Sequence, residues 1–306
     1  MDKTKFCEGV SDISDSYMGF ILDLWGVLHN GKKAFDDVPY TMKELMSRGK
    51  KVILLSNAAV NAKDMKASLK KMGITPTMYS HIVTSGQVVR DFLTEEKTAL
   101  GKKYYLLSHD DKFPIIEDLE EVERVDDIKQ ADFLVIAGLP QGQYMDDVAP
   151  ILRAGVQRHL KAICLNPDSL SMLGASYLNG PTAIAARYQD FGGIVEYFGK
   201  PYKPIYRKCI ELLQKDEIFP GDTVMIGDTM AHDILGASLS GMDTCLVRSG
   251  LHAGTFKNCK NPADVDRALG VLSVQYNGLR PQFLLETFKW GRVLPDRKHK
   301  KRRKLL

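Results

Sequence analysis

Met18-Gly-Phe-Ile-Leu-Asp23-Leu-Trp25, with Gly26 after it, is an apolar run that ends on a carboxylate and a glycine turn. Consecutive apolar residues suit a strand buried on both faces, the usual state of a strand in a parallel sheet. Asp23 then stands at the tip of that strand and not in the core. The same form recurs at Lys51-Val-Ile-Leu-Leu-Ser56-Asn57 and at Thr223-Val-Met-Ile226, which leads into Gly227-Asp228. Ligands of open α/β sheets sit beyond the carboxyl ends of the strands, so Asp23, Ser56 with Asn57, and Asp228 are the polar groups able to converge.

Helical stretches separate these runs. Val38 to Arg48 is closed by Gly49, where a helix commonly needs a left-handed residue, and Asn61 to Met72 is stopped by Gly73 with Pro76 beyond. Later come helices Pro181 to Asp190, Lys203 to Leu213 and Met230 to Leu239, and a strand Asp243 to Val247. The alternation predicts an α/β fold, a Rossmann-like doubly wound parallel sheet. From about Ser85 the texture changes: helix Gln87 to Leu93, strand Lys103 to Leu107, an acidic stretch Glu117 to Asp127, strand Asp132 to Ala137, helix Asp146 to Arg158 and strand Lys161 to Asn166. This block is expected as a smaller α/β unit inserted into the first. The expected division is core 1–84, inserted unit 85–178, core 179–290 and a basic tail 291–306.

Composition sets the outer bounds. The chain has 306 residues, 44% hydrophobic and 26% charged, which excludes general disorder, collagen and a disulfide-stapled miniprotein. No run approaches the ~20 apolar residues of a membrane helix, and the N-terminus lacks an apolar signal core, so a cytosolic protein with no membrane contact is expected. Cys7, Cys164, Cys209, Cys245 and Cys259 form no CxxC pair or Cys/His cluster, which points to reduced, mostly buried thiols. The net charge is +4, but Arg297, Lys298, Lys300, Lys301, Arg302, Arg303 and Lys304 supply seven positives, and without them the body stands at −3. The body therefore makes no case for nucleic acid. The tail is read first as a solvated end, with a nuclear address or a phosphate contact as the alternatives.

Asp228 and Asp233 lie five residues apart, the first at a strand end and the second in the opening turn of a helix. An acid at a helix N-terminus needs no further role, and a lone Asp in a turn is commonly a cap. With Asp23, however, they make a set of hard oxygen donors of the kind Mg²⁺ takes, and three carboxylates together are costly without a cation. Lys200, in Gly199-Lys200-Pro201, is a candidate to neutralise a phosphoryl group and a neighbouring carboxylate.

Asp23-Leu-Trp-Gly-Val-Leu28, Leu54-Leu-Ser-Asn57, Gly199-Lys-Pro201 and Gly227-Asp-Thr-Met-Ala-His-Asp233 resemble, in order and spacing, the four motifs of the haloacid dehalogenase superfamily. The insertion between the second and third, with Thr84-Ser85-Gly86 near its start and Leu165-Asn-Pro-Asp168 near its end, is similar to the α/β cap of the class IIA branch, which includes nitrophenylphosphatases and phosphatases of small phosphorylated metabolites. The resemblance implies a Mg²⁺-dependent phosphohydrolase in which Asp23 attacks phosphorus to form an aspartyl-phosphate. Ser56 and Asn57 would bind the phosphoryl group, and Lys200 would hold Asp23. Asp23, the Trp25 backbone carbonyl, Asp228 and Asp233 would form the metal site, Asp233 supporting either the metal shell or Lys200, with Asp168 a candidate substrate contact. A small phosphorylated substrate is the expected partner, and a homodimer through the inserted unit stays open.

One position departs from the phosphatase pattern. Two residues after the nucleophile that pattern has an aspartate acting as general acid and base; here Trp25 stands there. Losing such a group typically costs ~10²–10⁴-fold in rate. His29 or His232 could replace it, although each also reads as a turn or helix-surface histidine. Two alternatives follow from Trp25: a phosphometabolite-binding protein of low turnover, or halide-releasing hydrolysis of the dehalogenase type, in which an aromatic also stands at this position. The intact Asp228/Asp233 pair argues against the second. Tyr104, Tyr105, Arg153 and His159 are weaker substrate candidates, with strand packing or solvated helix faces as the plainer reading.

Overall fold

The computed structural model describes residues 3–95, 100–109, 113–167, 170–173 and 176–291. Strands β1 (Lys5–Cys7), β2 (Gly19–Asp23), β3 (Lys51–Ser56), β4 (His81–Thr84), β12 (Thr223–Gly227), β13 (Asp243–Val247) and β14 (Phe283–Leu285) form one parallel seven-stranded sheet in the order β1-β14-β13-β12-β2-β3-β4. The direction of strand progression reverses between β12 and β2, so their carboxyl ends flank the crevice that a doubly wound sheet offers a ligand.

Period-two alternation distributes the central strands between two cores. Phe20, Leu22, Val52, Leu54, Val224 and Ile226 face Val38, Met42, Leu45 and Leu69 of the helices Val38–Ser47 and Ala62–Lys71. Ile21, Ile53, Leu55 and Met225 face Ile205, Tyr206, Cys209 and Leu213 of the helix Lys203–Gln214 on the other side. A register that pairs Leu22 with Ile226 and Asp23 with Leu55 brings the polar strand tips level with one another.

The inserted unit has its own parallel sheet, ordered β11-β8-β7-β5-β6, from β5 (Lys103–Leu107), β6 (Glu123–Val125), β7 (Phe133–Ile136), β8 (Lys161–Cys164) and β11 (Ile194–Tyr197). Between β8 and β11, β9 (Leu170–Leu173) and β10 (Ser176–Asn179) form an antiparallel hairpin. The return to the main sheet thus comes at Phe198–Gly199, and the expected boundary at 178 is corrected. The helix Pro181–Asp190, expected in the core, buries Ile184, Ala185 and Tyr188 against Leu134, Ile136, Val148 and Leu152 of the inserted unit. The Gly180-Pro181 pair punctuates a helix start and not a change of domain.

The helix expected at Met230–Leu239 opens as a wide π-type turn, Met230–Ile234, before regular helix Leu235–Leu239. Such turns are frequent at functional sites, and here the turn carries Asp233. No helix among the described residues is long and apolar enough to cross a membrane. None of the five cysteines is in a disulfide, and Cys164, Cys209 and Cys245 are buried. The positive residues of the tail lie outside the described residues.

Leu54 is fully buried at the centre of the larger sheet. Leu54→Ala is expected to lower the unfolding free energy by about 3 kcal/mol, measured as a shift of the urea midpoint at constant slope. A loss under about 1 kcal/mol would mean that this face is not packed as described.

Candidate active site

Asp23, Asp228 and Asp233 come together at the crevice, each presenting a carboxylate oxygen within 4.8 Å of the others. Lys200 enters between them: its Nζ donates to Asp23 Oδ1 at 2.5 Å and to Asp233 Oδ1 at 2.7 Å, with all three side chains buried. The loop that carries Lys200 is held by Asn57. The Lys200 amide donates to Asn57 Oδ1 at 2.6 Å, and Asn57 Nδ2 donates to the Lys200 carbonyl at 3.2 Å. The tips of β2 and β3 are thereby tied to a segment far along the chain.

Asp233 is saturated. Its Oδ1 takes Lys200, and its Oδ2 accepts from the amides of Asp228 and Thr229 at 3.1 and 3.0 Å and from the Thr229 hydroxyl at 2.7 Å. Asp228 Oδ2 accepts from the Leu251 amide at 2.7 Å, beyond the end of β13. Glycine is required around these acids because the backbone runs against them. A Cβ on Gly26 or Gly250 would lie 2.2 Å from Asp228 Oδ2, and Gly26 also has φ +82°.

Burial, reinforced by Asp233 and Asp228 and only partly offset by Lys200, pushes the Asp23 carboxyl up to about 7. Asp228 rises to about 6, through burial first and then Asp233, against the Leu251 amide. Burial pulls Lys200 down, but Asp23 and Asp233 outweigh it and the ammonium is held above its ordinary value. Three carboxylates against one ammonium leave negative charge uncompensated in a site with few water-facing atoms, and hard oxygen donors so arranged fit a divalent cation. Asp23, Asp228 and Asp233 each offer an oxygen to such an ion, and Asp233 also holds Lys200 and the Gly227–Thr229 turn.

Ser56, Asn57, Lys200, Asp228 and Asp233 all stand at the carboxyl edge of the sheet with Asp23; the Ser56 hydroxyl accepts from the Ala58 amide at 3.2 Å. Asp168 lies outside the described residues. Tyr104 is buried and packs against Phe133, and Arg153 lies over the Phe191 ring at 4.0 Å, so both have structural employment. His29 is buried, which lowers its pKa, and its Nδ1 accepts from the Gly31 amide at 3.0 Å. Sequence reasoning missed Thr229 and the Leu251 amide. The rule applied to the other strand tips points equally to Ser249-Gly-Leu251 after β13, but a backbone donor leaves no side-chain signature.

The raised acids give a pH signature. Where the fold favours the neutral acid, the stabilisation is complete below the unfolded carboxylate pKa of about 4 and is lost as pH rises through about 6 for Asp228 and about 7 for Asp23. In chelator, the melting temperature should therefore fall between about pH 5 and about pH 8, and Asp228→Asn should flatten that fall. A level wild-type profile, or one that Asp228→Asn leaves unaltered, would contradict the charge arrangement.

Known proteins resemble the chain in sequence and in fold. The model of haloacid dehalogenase-like hydrolases matches residues 20–123, and a second model of the same kind of hydrolase matches residues 197–267. The chain is 24% identical over 238 residues to the 5'-nucleotidase YutF of Bacillus subtilis, covering 77% of this chain and 89% of that one. It is 24% identical over 233 residues to the ribonucleotide monophosphatase NagD of Escherichia coli, covering 76% and 87%. A haloacid dehalogenase-like hydrolase from Brucella suis superposes with a TM-score of 0.73 at 25% identity, over 92% of this chain and 99% of that one. With the ordered motifs gathered into one carboxylate and lysine cluster at the sheet's switch point, the chain belongs to the haloacid dehalogenase-like hydrolases, whose two models together match more than half of it.

Proposed function

We propose that this hydrolase is a phosphatase of a small phosphorylated metabolite, with Mg²⁺ bound and with Asp23 as the nucleophile that takes the phosphoryl group as an aspartyl-phosphate. The observation that carries the reading is the Lys200 ammonium shared between Asp23 and Asp233 beside Asp228. Attack on phosphorus needs Asp23 as the carboxylate, and Lys200 supports that form by donating to Oδ1. The other oxygen of Asp23 is then the attacking atom. The Ser56 hydroxyl and the amides at the tip of β3 are suited to receive the phosphoryl oxygens, and the positive charge of Lys200 offsets charge that builds on them.

Asp23, Asp228 and the Trp25 backbone carbonyl are the groups proposed to hold Mg²⁺, which supplies neutralisation of phosphate charge when bound. Asp233 acts through Lys200: by fixing the ammonium and the Gly227–Thr229 turn it sets the positions of both partners of the nucleophile. Trp25 supplies no acid, because the indole N–H is a donor that gives up no proton at ordinary pH. Low turnover of substrates with poor leaving groups follows, the feature that kept the binding-protein alternative in view.

With 4-nitrophenyl phosphate, activity should require Mg²⁺, disappear in chelator and return when the ion is restored. Asp23→Asn should lower kcat by at least about 10³-fold. An undiminished rate in Asp23→Asn would overturn the assignment of the nucleophile. Chloride release from a haloacid in chelator would favour the dehalogenase reading instead, and tight Mg²⁺-dependent binding of phosphometabolites without product would favour the low-turnover one.

A further inference from the structure

Asp233 reaches Lys200 from the π-type turn Met230–Ile234, a rare local geometry whose opening amides need acceptors from outside it. Three consecutive amides here are met by side chains. Those of Asp228 and Thr229 donate to Asp233 Oδ2, and that of Met230, a fully buried residue, donates to Nε2 of His252 at 3.1 Å. The carbonyls of the turn are engaged separately. The Tyr206 hydroxyl donates toward the His232 and Asp233 carbonyls, at 3.0 and 3.2 Å.

His252 belongs to a segment laid against this turn. A Cβ on Gly250 would lie 2.2 Å from the Asp228 Cβ, and the Leu251 amide donates to Asp228 Oδ2. The imidazole meets the Tyr276 ring edge-on, with centroids 6.3 Å apart and planes at 75°. An Nε2 that accepts a hydrogen bond carries no proton, so this imidazole is neutral and holds its proton on Nδ1. Burial lowers its pKa, against an opposing pull from Asp233, and so favours the neutral form. With its accepting nitrogen spent on Met230, His252 is placed to hold the turn and not to exchange protons with a substrate.

We propose that His252 is a positioning residue of the hydrolase: by accepting from the Met230 amide it keeps the turn wide, and so keeps the Asp233 carboxylate aimed at Lys200. The proposal rests on the phosphatase reading above. A buried amide that loses its acceptor must find another, and the turn would shift to supply one. Asp233 would move with it, and Lys200 would lose one of the two carboxylates that fix it beside Asp23.

The test compares His252→Gln with His252→Asn. The side-chain amide of Gln reaches the place of Nε2 and offers an acceptor there, whereas that of Asn stops at the place of Nδ1. With 4-nitrophenyl phosphate and Mg²⁺, His252→Asn should lower kcat about 10–100-fold with KM shifted far less, and His252→Gln should keep kcat within about threefold of wild type. An unaltered kcat in His252→Asn, or equal losses in the two variants, overturns the proposal. Should His252→Asn not fold, His252→Leu removes the acceptor in its place and is held to the same outcomes. Exchange of the Met230 amide proton, followed by NMR in chelator, needs no turnover. It should be slow in wild type and in His252→Gln and at least about tenfold faster in His252→Asn. Fast exchange in wild type, or equal exchange in wild type and His252→Asn, contradicts the hydrogen bond on which the proposal stands. A wild type inactive on the ester faults the phosphatase reading and the role of His252 with it, whereas an active wild type whose kcat His252→Asn leaves untouched faults His252 alone.

Discussion

A buried lysine ammonium shared by two carboxylates is the constraint around which this molecule is arranged. Removing an ion from water is expensive, and an ion so buried persists only where partners satisfy it from several sides. Lys200 meets that requirement with Asp23 from the end of β2 and Asp233 from the π-type turn after β12. Those two carboxylates would otherwise repel each other and Asp228. The surrounding features follow from keeping this arrangement in place. Asn57 grips the lysine backbone from both sides, Thr229 and two amides saturate the far oxygen of Asp233, and glycines stand wherever the chain passes a carboxylate too closely for a side chain. The proposed phosphoryl transfer asks a protein mainly for positioning and charge neutralisation, and connections among strand tips that are distant in sequence are suited to supply both.

The parts of the fold that were legible are those where burial on both faces forces an unbroken apolar run. Phe20-Ile-Leu22, Val52 to Leu55 and Val224 to Ile226 leave little choice but a central parallel strand, and their polar termini mark the site. The unread strands are short or lie at edges. Lys5-Phe-Cys7 and Phe283-Leu-Leu285 have three residues each and pair with one another in parallel register, and Ile194 to Tyr197 alternates exposed and half-buried residues as an irregular surface segment does. The inserted unit was seen by its change of texture, but its far limit was misplaced. Gly180-Pro181 looks like a boundary, and only the burial of Ile184, Ala185 and Tyr188 reveals which core the following helix serves.

Within the site the side chains could be named from their places at strand ends, whereas the division of labour among them could not. Asp233 reads in sequence as a support of either the metal shell or Lys200; the fold sets four hydrogen-bond donors on its oxygens, Lys200 among them. Trp25 reads as the loss of an acid, and the close approach of the Gly31 backbone to the rim of its ring is invisible until the turn is folded. In both cases the missing information was the direction in which a group's bonding capacity is spent, a property of three-dimensional neighbours and not of residue type.

The return of the chain from the inserted unit has a consequence for modularity. β11 ends at Tyr197, Phe198 packs in a core shared by both units, its carbonyl accepts from the Ser85 hydroxyl, and Lys200 follows two residues later. Tyr197, the last residue of the inserted sheet, stacks face to face on Tyr202 at the head of the next core helix, with centroids 4.3 Å apart. The inserted unit is therefore not an interchangeable cassette. Its exit strand doubles as the ruler that delivers the lysine, and any recombination of this unit with a foreign one must keep the junction from Tyr197 to Tyr202 whole, or it disturbs Lys200 together with the unit it replaces.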